Sequence, residues 1–192
     1  TNELQLPKII AYNKESIDRI PLSFNQERLW FLDQLDGSVE YHMPTVIRLE
    51  GTLNIPVLEQ AFKTIVSRHE VLRTNILADE GKGYQEVVSS DNWSLDQVNN
   101  IDENGLTETL INYISVPFNL ASDYKFRACL YHLENNKYVL ACVFHHIVSD
   151  GWAEGILINE FMTLYSALQA GKSVELPELT LQYSDYAIWQ RE

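Results

Sequence analysis

The sequence predicts an α+β fold in which a mixed, largely antiparallel central sheet is covered by helices. Two strand-like segments, 125–133 and 137–146, flank a short turn and are apolar at successive positions rather than at alternate ones. Strands of this kind are buried on both faces, as in a sheet layered with helices. Apolar stripes with helical spacing recur elsewhere and supply those helices. The 192 residues suffice for one domain or for one lobe of a larger one.

Composition narrows the classes of partner and compartment. The net charge of −13 repels nucleic-acid phosphates, and the few basic residues form no stripe, so we expect no nucleic-acid partner. No apolar run approaches the roughly 18 residues of a membrane span, and no signal-peptide pattern is seen, so we expect a cytosolic protein with no membrane partner. Cys129 and Cys142 lack metal or redox spacing and are predicted to be buried, reduced thiols.

The first third of the chain predicts an arm, a helix and a strand. Residues 1–20 are interpreted as an N-terminal arm or linker, with a short strand at 9–12. Ser23 and Gln26 form a capping box that begins a helix. Its apolar stripe consists of Leu29, Trp30, Leu32 and Leu35. After a turn at Asp36-Gly37, the β-branched segment 42–50 predicts a strand.

A second helix begins at Asn54, its predicted N-cap, with a proline in the first turn. Its apolar face comprises Leu58, Ala61, Phe62, Ile65 and Val66. His69 falls on the same face, and we interpret it as a hydrogen-bonded core histidine at the helix end rather than as a catalytic group. Segments 74–78 and 84–89 then predict two short strands around a loop.

The middle of the chain predicts a loop, a helix and a hairpin. Segment 90–104 is polar, with a short strand around 93–95, and Pro117 ends a third helix. The apolar positions of that helix are Leu106, Leu110, Ile111 and Ile114. A two-residue Asn135-Asn136 turn, tolerant of positive φ, then sets the hairpin register. This register predicts Cys129 directly opposite Cys142, with the two thiols in contact.

The stretch 145–151, reading HHIVSDG, follows the second hairpin strand and carries chemistry that core packing does not require. Neighbours on a strand point to opposite faces, so His145 and His146 cannot both enter one space, and strand geometry leaves open which of them faces the site. Asp150 is either the N-cap of the next helix or a buried, ion-paired carboxylate. Gly151 permits positive φ or a close approach of substrate. We expect no metal site, because no further ligand follows at zinc-like spacing.

These motifs resemble those of a known family. HHIVSDGW resembles the HHxxxDG signature of nonribosomal peptide synthetase condensation domains, within the chloramphenicol acetyltransferase-like superfamily. PLSFNQERLWFLDQL (21–35) and RHEVLRTNI (68–76) resemble the family's first and second motifs, and LQYSDYAIWQRE (181–192) resembles the end of its N-terminal half. The resemblance implies that residues 21–192 form a chloramphenicol acetyltransferase-like N-terminal lobe, with the C-terminal lobe absent.

The resemblance also implies roles for individual residues. His146 is the catalytic residue, His145 supports the fold, Asp150 is structural, and Gly151 lies beside the reacting centre. Four residues of the first two motifs have structural roles: Arg28, Trp30, His69 and Arg73. Arg28 is predicted to be a buried cation, with Asp150 paired either with it or with an arginine of the missing lobe.

The implied reaction joins two substrates carried on phosphopantetheine arms that enter a tunnel between the lobes from opposite sides. The amine of an acceptor aminoacyl thioester attacks the carbonyl of a donor thioester, of the L-configured type. His146 then acts either as general base or by positioning the amine and stabilising the tetrahedral intermediate. No cofactor is bound, and the partners are donor and acceptor peptidyl carrier domains, the second lobe and an adenylation domain.

Two other functions stay open. One is an epimerization domain of the same fold, which uses the same histidine as a base for the α-proton. The segment 152–155 (WAEG) resembles condensation rather than epimerization members. The other is a non-catalytic recruitment module that binds a partner protein, although such modules usually have a degraded signature. With one wall of the tunnel missing, the isolated 192 residues are predicted to be inactive.

Overall fold

A computed structural model of the chain describes residues 8–148, 154–172 and 176–192. The strands are β1 (Ile20–Pro21), β2 (His42–Glu50), β3 (Thr74–Asp79), β4 (Lys82–Val87), β5 (Asp96–Val98), β6 (Phe126–His132) and β7 (Lys137–His145). The helices are α1 (Phe24–Asp36), α2 (Ile55–Arg68), α3 (Glu103–Ile114), α4 (Glu154–Gln169) and α5 (Tyr183–Arg191). Within these residues, no helix combines the length and apolarity that crossing a membrane requires.

The central sheet has four strands in the order β2-β7-β6-β5. Its pairs are antiparallel except for the parallel pair of β5 and β6, so the predicted mixed, largely antiparallel sheet is confirmed. Its two faces contact separate apolar clusters. The larger includes Phe62 of α2 and Leu157 of α4, and the smaller includes Leu106 of α3. The prediction that β6 and β7 are buried on both faces is therefore confirmed.

A smaller sheet, β1-β4-β3, joins the segment before α1 to a second hairpin. Pro21 of β1 pairs with Tyr84 of β4, a contact between residues far apart in sequence that local patterns did not predict. The predicted strand at 9–12 is wrong, because this segment has no strand partner. The arm is instead held by a hydrogen bond of 2.9 Å from the Tyr12 amide to the carboxylate of Asp185.

Helix α1 is fixed at both ends. The Ser23–Gln26 capping box is confirmed, and the Ser23 hydroxyl also lies 2.7 Å from the hydroxyl of Tyr183. At the other end Gly37 adopts φ +82, a value that disfavours residues with a side chain, and its amide donates to the Asp33 carbonyl at 2.9 Å. Both ends of the helix are therefore held in place by hydrogen bonds.

The register of the β6–β7 hairpin differs from the prediction by one residue. Asn135 and Asn136 have φ of +59 and +55, as predicted, but the loop has three residues because the Leu133 amide donates to the Lys137 carbonyl at 2.8 Å. Cys129 consequently pairs with Ala141, and Ala128 pairs with Cys142. The predicted contact between the two thiols is wrong, because a shift of one residue places them on opposite faces of the sheet.

Both cysteines are nevertheless free and buried, as expected. Burial raises the pKa of Cys129 to about 11 and that of Cys142 to about 12, so neither thiol is a thiolate at neutral pH.

The predicted apolar face of α2 is buried at all five positions, whereas Leu35 in the predicted stripe of α1 and Ile111 in that of α3 are exposed. Helix α2 has the predicted N-cap, Asn54, and α3 ends at Ile114, before Pro117. The predicted strand at 93–95 is wrong, since the strand in this region is β5. Trp93 is instead buried in the preceding loop, where its indole N–H donates to the Phe126 carbonyl at 2.9 Å. An aromatic residue in a polar loop thus anchors the loop to the sheet.

Candidate active site

The candidate site lies where β7 leaves the central sheet. The ladder with β2 ends at the pair His42–His145, and the next three residues, His146–Val148, form a 3₁₀ turn. The His145 amide donates to the Lys125 carbonyl at 3.2 Å, just before the first residue of β6. Because the chain turns here, His146 stands at the first position outside the sheet.

The two adjacent imidazoles occupy different environments. His145 is 0% exposed and belongs to the interior, whereas His146 is exposed. Ile147 and Val148 are buried again, so His146 is a single exposed residue between buried neighbours. The expectation that the two side chains enter different spaces agrees with this arrangement, although it arises from a strand end and a 3₁₀ turn and not from a continuous strand.

His145 uses both ring nitrogens. Its Nδ1 accepts a hydrogen bond of 3.0 Å from the amide of Ile147, and its Nε2 lies 3.2 Å from Oδ1 of Asp33 on α1. An amide N–H can only donate, so Nδ1 carries a lone pair and the ring proton resides on Nε2, which donates to Asp33. The aromatic rings of Tyr41 and Phe118 flank this imidazole, at centroid distances of 6.2 and 5.9 Å.

A second histidine network borders the first. His42 lies across the ladder from His145, and its Nδ1 donates to the Ile114 carbonyl at 2.7 Å. Its Nε2 accepts from the Ser38 hydroxyl at 3.0 Å, and that hydroxyl in turn accepts from the Phe118 amide at 2.8 Å. Burial lowers the pKa of His42, and the bond to Ile114 only partly opposes this shift. The network therefore favours a neutral His42 ring.

Asp33 and Lys125 were missed by sequence reasoning. Lys125 is 0% exposed and its ammonium group donates to the Asp123 carbonyl. Burial lowers the pKa of Lys125 to about 7, while attraction by Asp123 and Asp33 partly offsets the shift. Two signals were available: Asp33 follows the buried Leu29 of α1 by four residues, and Lys125 directly precedes a largely apolar strand.

Arg28 does not occupy the predicted environment. The prediction of a buried cation is wrong, because the side chain is exposed and donates to Asn25, one helical turn earlier, at 2.8 Å. With 3.6 residues per turn, Arg28 projects from the face of α1 opposite to Asp33. Trp30 is half-buried and packs against Gly83 of β4. Arg28, Trp30 and Gly83 are among the residues that line a groove of about 750 Å³.

The residues of the second motif stabilise helix ends. His69 is 6% exposed at the end of α2, and its Nε2 lies 2.8 Å from Oε2 of Glu160, so the predicted hydrogen-bonded core histidine is confirmed. The Arg73 guanidinium donates to the carbonyls of Ser67, at 3.2 and 3.1 Å, and of Val88, at 2.8 Å. His69 thus binds a side chain of α4, and Arg73 binds backbone carbonyls at the end of α2 and after β4.

The remaining predictions for this site concern Asp150 and Gly151. Both residues, together with Trp152, lie outside the described residues, as does any pairing of Asp150 with an arginine. Across residues 8–148, 154–172 and 176–192, no three His, Cys, Asp or Glu side chains are grouped as the ligands of a metal ion would be.

The chain was compared with known proteins. The family model described as "Condensation domain" matches residues 16–192. The dimodular nonribosomal peptide synthase of Bacillus subtilis (strain 168) is 40% identical over 180 residues, which cover 93% of this chain and 8% of that protein. One linear gramicidin synthase polypeptide of Brevibacillus parabrevis is 38% identical over 180 residues, which cover 90% of this chain and 4% of that protein.

Solved structures extend the similarity to the fold. The X-domain from teicoplanin biosynthesis superposes with a TM-score of 0.87 at 29% identity, over 96% of this chain and 40% of that one. The first condensation domain of the CDA synthetase has a TM-score of 0.68 at 20% identity, over 84% of this chain and 43% of that one, and supports the fold alone. The chain thus spans about two fifths of these structures and a small part of the curated relatives. The condensation-domain family of nonribosomal peptide synthetases is the family to which the chain belongs.

Proposed function

We propose that this chain is the N-terminal lobe of a condensation domain that forms amide bonds between two carrier-bound thioesters. The acceptor amine attacks the donor thioester carbonyl. A C–N bond forms and the C–S bond breaks, so the donor chain passes to the acceptor. The attacking amine nitrogen loses one proton, and the leaving thiolate takes up one proton to become the free thiol. Donor and acceptor carrier domains, a second lobe and an adenylation domain are the proposed partners, and an L-configured donor is the proposed substrate type.

The observation that carries this proposal is the exposed imidazole of His146 beside a fully buried and hydrogen-bonded His145. A reactive side chain needs access to substrate and a rigid support, and the turn 146–148 offers both. An imidazole near neutral pH can accept the amine proton, which typically contributes 10² to 10⁴ in rate. Alternatively it orients the amine and donates a hydrogen bond to the tetrahedral intermediate.

Gly151 beside the reacting centre and Asp150 as a support of the turn complete the proposed site. The whole domain is required, because one lobe supplies only one wall of the tunnel. The substrates arrive on phosphopantetheine arms, and the lobe itself is proposed to hold no cofactor.

The test is His146→Ala in the complete domain, supplied with loaded donor and acceptor carriers. We expect condensation, followed by intact mass of the acceptor carrier, to fall at least about 100-fold, the lower range for loss of a catalytic base. His132→Ala is the control, because His132 lies at the opposite end of the β6–β7 ladder. Full activity of the His146 variant would remove this residue from the mechanism.

One alternative has support from a specific comparison. The X-domain in the solved complex with OxyB from teicoplanin biosynthesis has a TM-score of 0.86 and 27% identity to this chain. A recruitment module would bind a partner protein and form no product with either carrier. An epimerization domain would exchange the α-proton of a bound aminoacyl thioester for solvent deuterium without an acceptor. The same carrier assay therefore distinguishes all three functions.

A further inference from the structure

Three groups connect α1 to the exposed histidine through the interior. Oδ1 of Asp33 lies 3.2 Å from Nε2 of His145, and Nδ1 of His145 lies 3.0 Å from the amide nitrogen of Ile147. Ile147 is the residue immediately after His146, in the same 3₁₀ turn. A side chain on α1 is thus two hydrogen bonds away from the backbone that carries His146.

The direction of these two bonds is fixed by their donors. The Ile147 amide holds Nδ1 of His145 in its unprotonated form, so a neutral ring keeps its proton on Nε2. That proton needs an acceptor, because His145 is 0% exposed and the donor would otherwise be buried without a partner. The carboxylate of Asp33 is that acceptor. Without this acceptor, the buried Nε2–H has no hydrogen-bond partner. The ring can avoid this by carrying its proton on Nδ1 instead or by rotating, and either change breaks the hydrogen bond from the Ile147 amide to Nδ1.

The position of the Asp33 carboxylate allows it to fix the orientation of the His145 ring. It is carried by a helix that is capped at Ser23 and closed at Gly37, and its side chain is only 16% exposed. The buried Lys125 interacts electrostatically with the same carboxylate, which partly offsets the lowering of the Lys125 pKa by burial. The Lys125 carbonyl also accepts from the His145 amide, so the same segment fixes the backbone of the histidine.

We infer that Asp33 is a positioning residue for the reaction: by accepting from His145 it fixes the ring that holds the Ile147 amide, and so sets the orientation of His146. This inference rests on the proposed function, because it takes His146 as the group that meets substrate. It assigns to the first motif a role in the proposed active site through a residue that is largely buried.

The test uses two kinds of substitution in the complete condensation domain. Asp33→Leu removes the hydrogen-bond acceptor. Asp33→Ser is a second variant, in case the leucine variant does not fold, because its side chain is polar but too short for its oxygen to reach Nε2 of His145. Asp33→Asn keeps an oxygen at the same place and should rescue. Asp36→Leu, one turn later on the exposed side of α1, is the matched control.

We expect the Leu and Ser variants to lower kcat roughly 10- to 100-fold, since small misplacement of a reacting group has effects of this size, with KM for the acceptor carrier little changed. The Asn variant and the Asp36 control should stay within about threefold of the wild type, because neither loses the hydrogen bond to Nε2. ¹⁵N-histidine NMR should show the His145 proton on Nε2 in the wild type and in Asp33→Asn, and a changed tautomer or a mixture in Asp33→Leu and Asp33→Ser.

A merely structural role would lower the melting temperature without changing kcat per folded molecule, and this outcome would overturn the inference. So would an unchanged tautomer in a variant with reduced kcat. The proposed function fails separately, through full activity of His146→Ala. If that variant is inactive while Asp33→Leu or Asp33→Ser has wild-type kcat, the function stands and the positioning role does not.

Discussion

Two buried histidine–carboxylate pairs lie within the residues that the structure describes, and they join different elements of the fold. His145 and Asp33 join β7 to α1 at 3.2 Å, and His69 and Glu160 join the end of α2 to α4 at 2.8 Å. Both histidines are nearly inaccessible, at 0% and 6% exposure, and both belong to motifs that resemble those of the family. The chemistry of the pairs is the same, so their difference lies in what surrounds them.

The surroundings of the two pairs differ, because one pair borders the exposed residue of the candidate site and the other joins two helices. The ring of His145 also holds the Ile147 amide, next to the exposed His146. Glu160 instead also binds a guanidinium group, since the Arg68 Nε lies 2.9 Å from its Oε1. Burial lowers the pKa of His69, and the hydrogen bond to Glu160 opposes the shift. Burial and membership of a motif therefore do not distinguish the two histidines, and the role inferred for His145 rests on its hydrogen bond to the amide next to His146.

The largest effect is expected from His145→Ala. The change leaves the Ile147 amide and the Asp33 carboxylate without their partner and opens a cavity among aromatic rings, so the free energy of unfolding should fall by about 3 to 5 kcal/mol. Soluble yield and urea denaturation of the complete domain measure this loss. Because the turn at His146 loses its support, the remaining folded protein should also lose condensation activity. A stable variant with full activity would show that the two pairs do not differ as described.

A smaller effect, confined to stability, is expected from Glu160→Gln. The amide keeps the shape of the side chain but removes the charge shared by Arg68 and His69, which are 15% and 8% exposed at their side chains. The free energy of unfolding should fall by about 1 to 3 kcal/mol, with condensation activity per folded molecule unchanged. Glu108→Gln, at an exposed position of α3, is the control. Reduced kcat at unchanged stability would place this pair in the active site as well.

Local patterns predicted the parts of the fold that depend on nearby residues. The Ser23–Gln26 capping box, the Asn54 N-cap and the apolar face of α2 involve residues within a few turns of each other, and all are confirmed. The hairpin between β6 and β7 was predicted as well, but its register was wrong by one residue because two- and three-residue loops both accommodate the positive φ of Asn135 and Asn136.

The contacts that build the site depend on residues far apart in sequence. Asp33 and His145 are 112 positions apart, and no periodicity in either segment identifies the other as its partner. The same holds for Glu160, which lies 91 positions from His69. Sequence could therefore identify the buried histidines and the helix that carries Asp33, whereas the pairing required the packing of α1 and α4 against the sheet.

A dependence of stability on pH separates the two carboxylates by the basic side chain that interacts with each. Burial lowers the pKa of Lys125 from 10.5 to about 7, so above pH 7 the folded state releases a proton that the unfolded chain still holds. Unfolding then takes up that proton, and the folded state gains stability as pH rises from 7 towards 10, by at most about 1.4 kcal/mol per pH unit. Lys125→Met removes this contribution, so the stability of the wild type relative to the variant should increase across the range.

Arg68→Met provides the comparison for the other pair. Arginine side chains keep their charge throughout this range, so the difference between the wild type and Arg68→Met should be independent of pH. Urea denaturation of the complete domain at pH 7, 8, 9 and 10 measures both differences, and other titrating groups cancel in each. A difference for Lys125→Met that is equally flat would mean that Lys125 retains its proton in the folded state. Asp33 would then face a full positive charge, as Glu160 does, and the two pairs would be electrostatically alike.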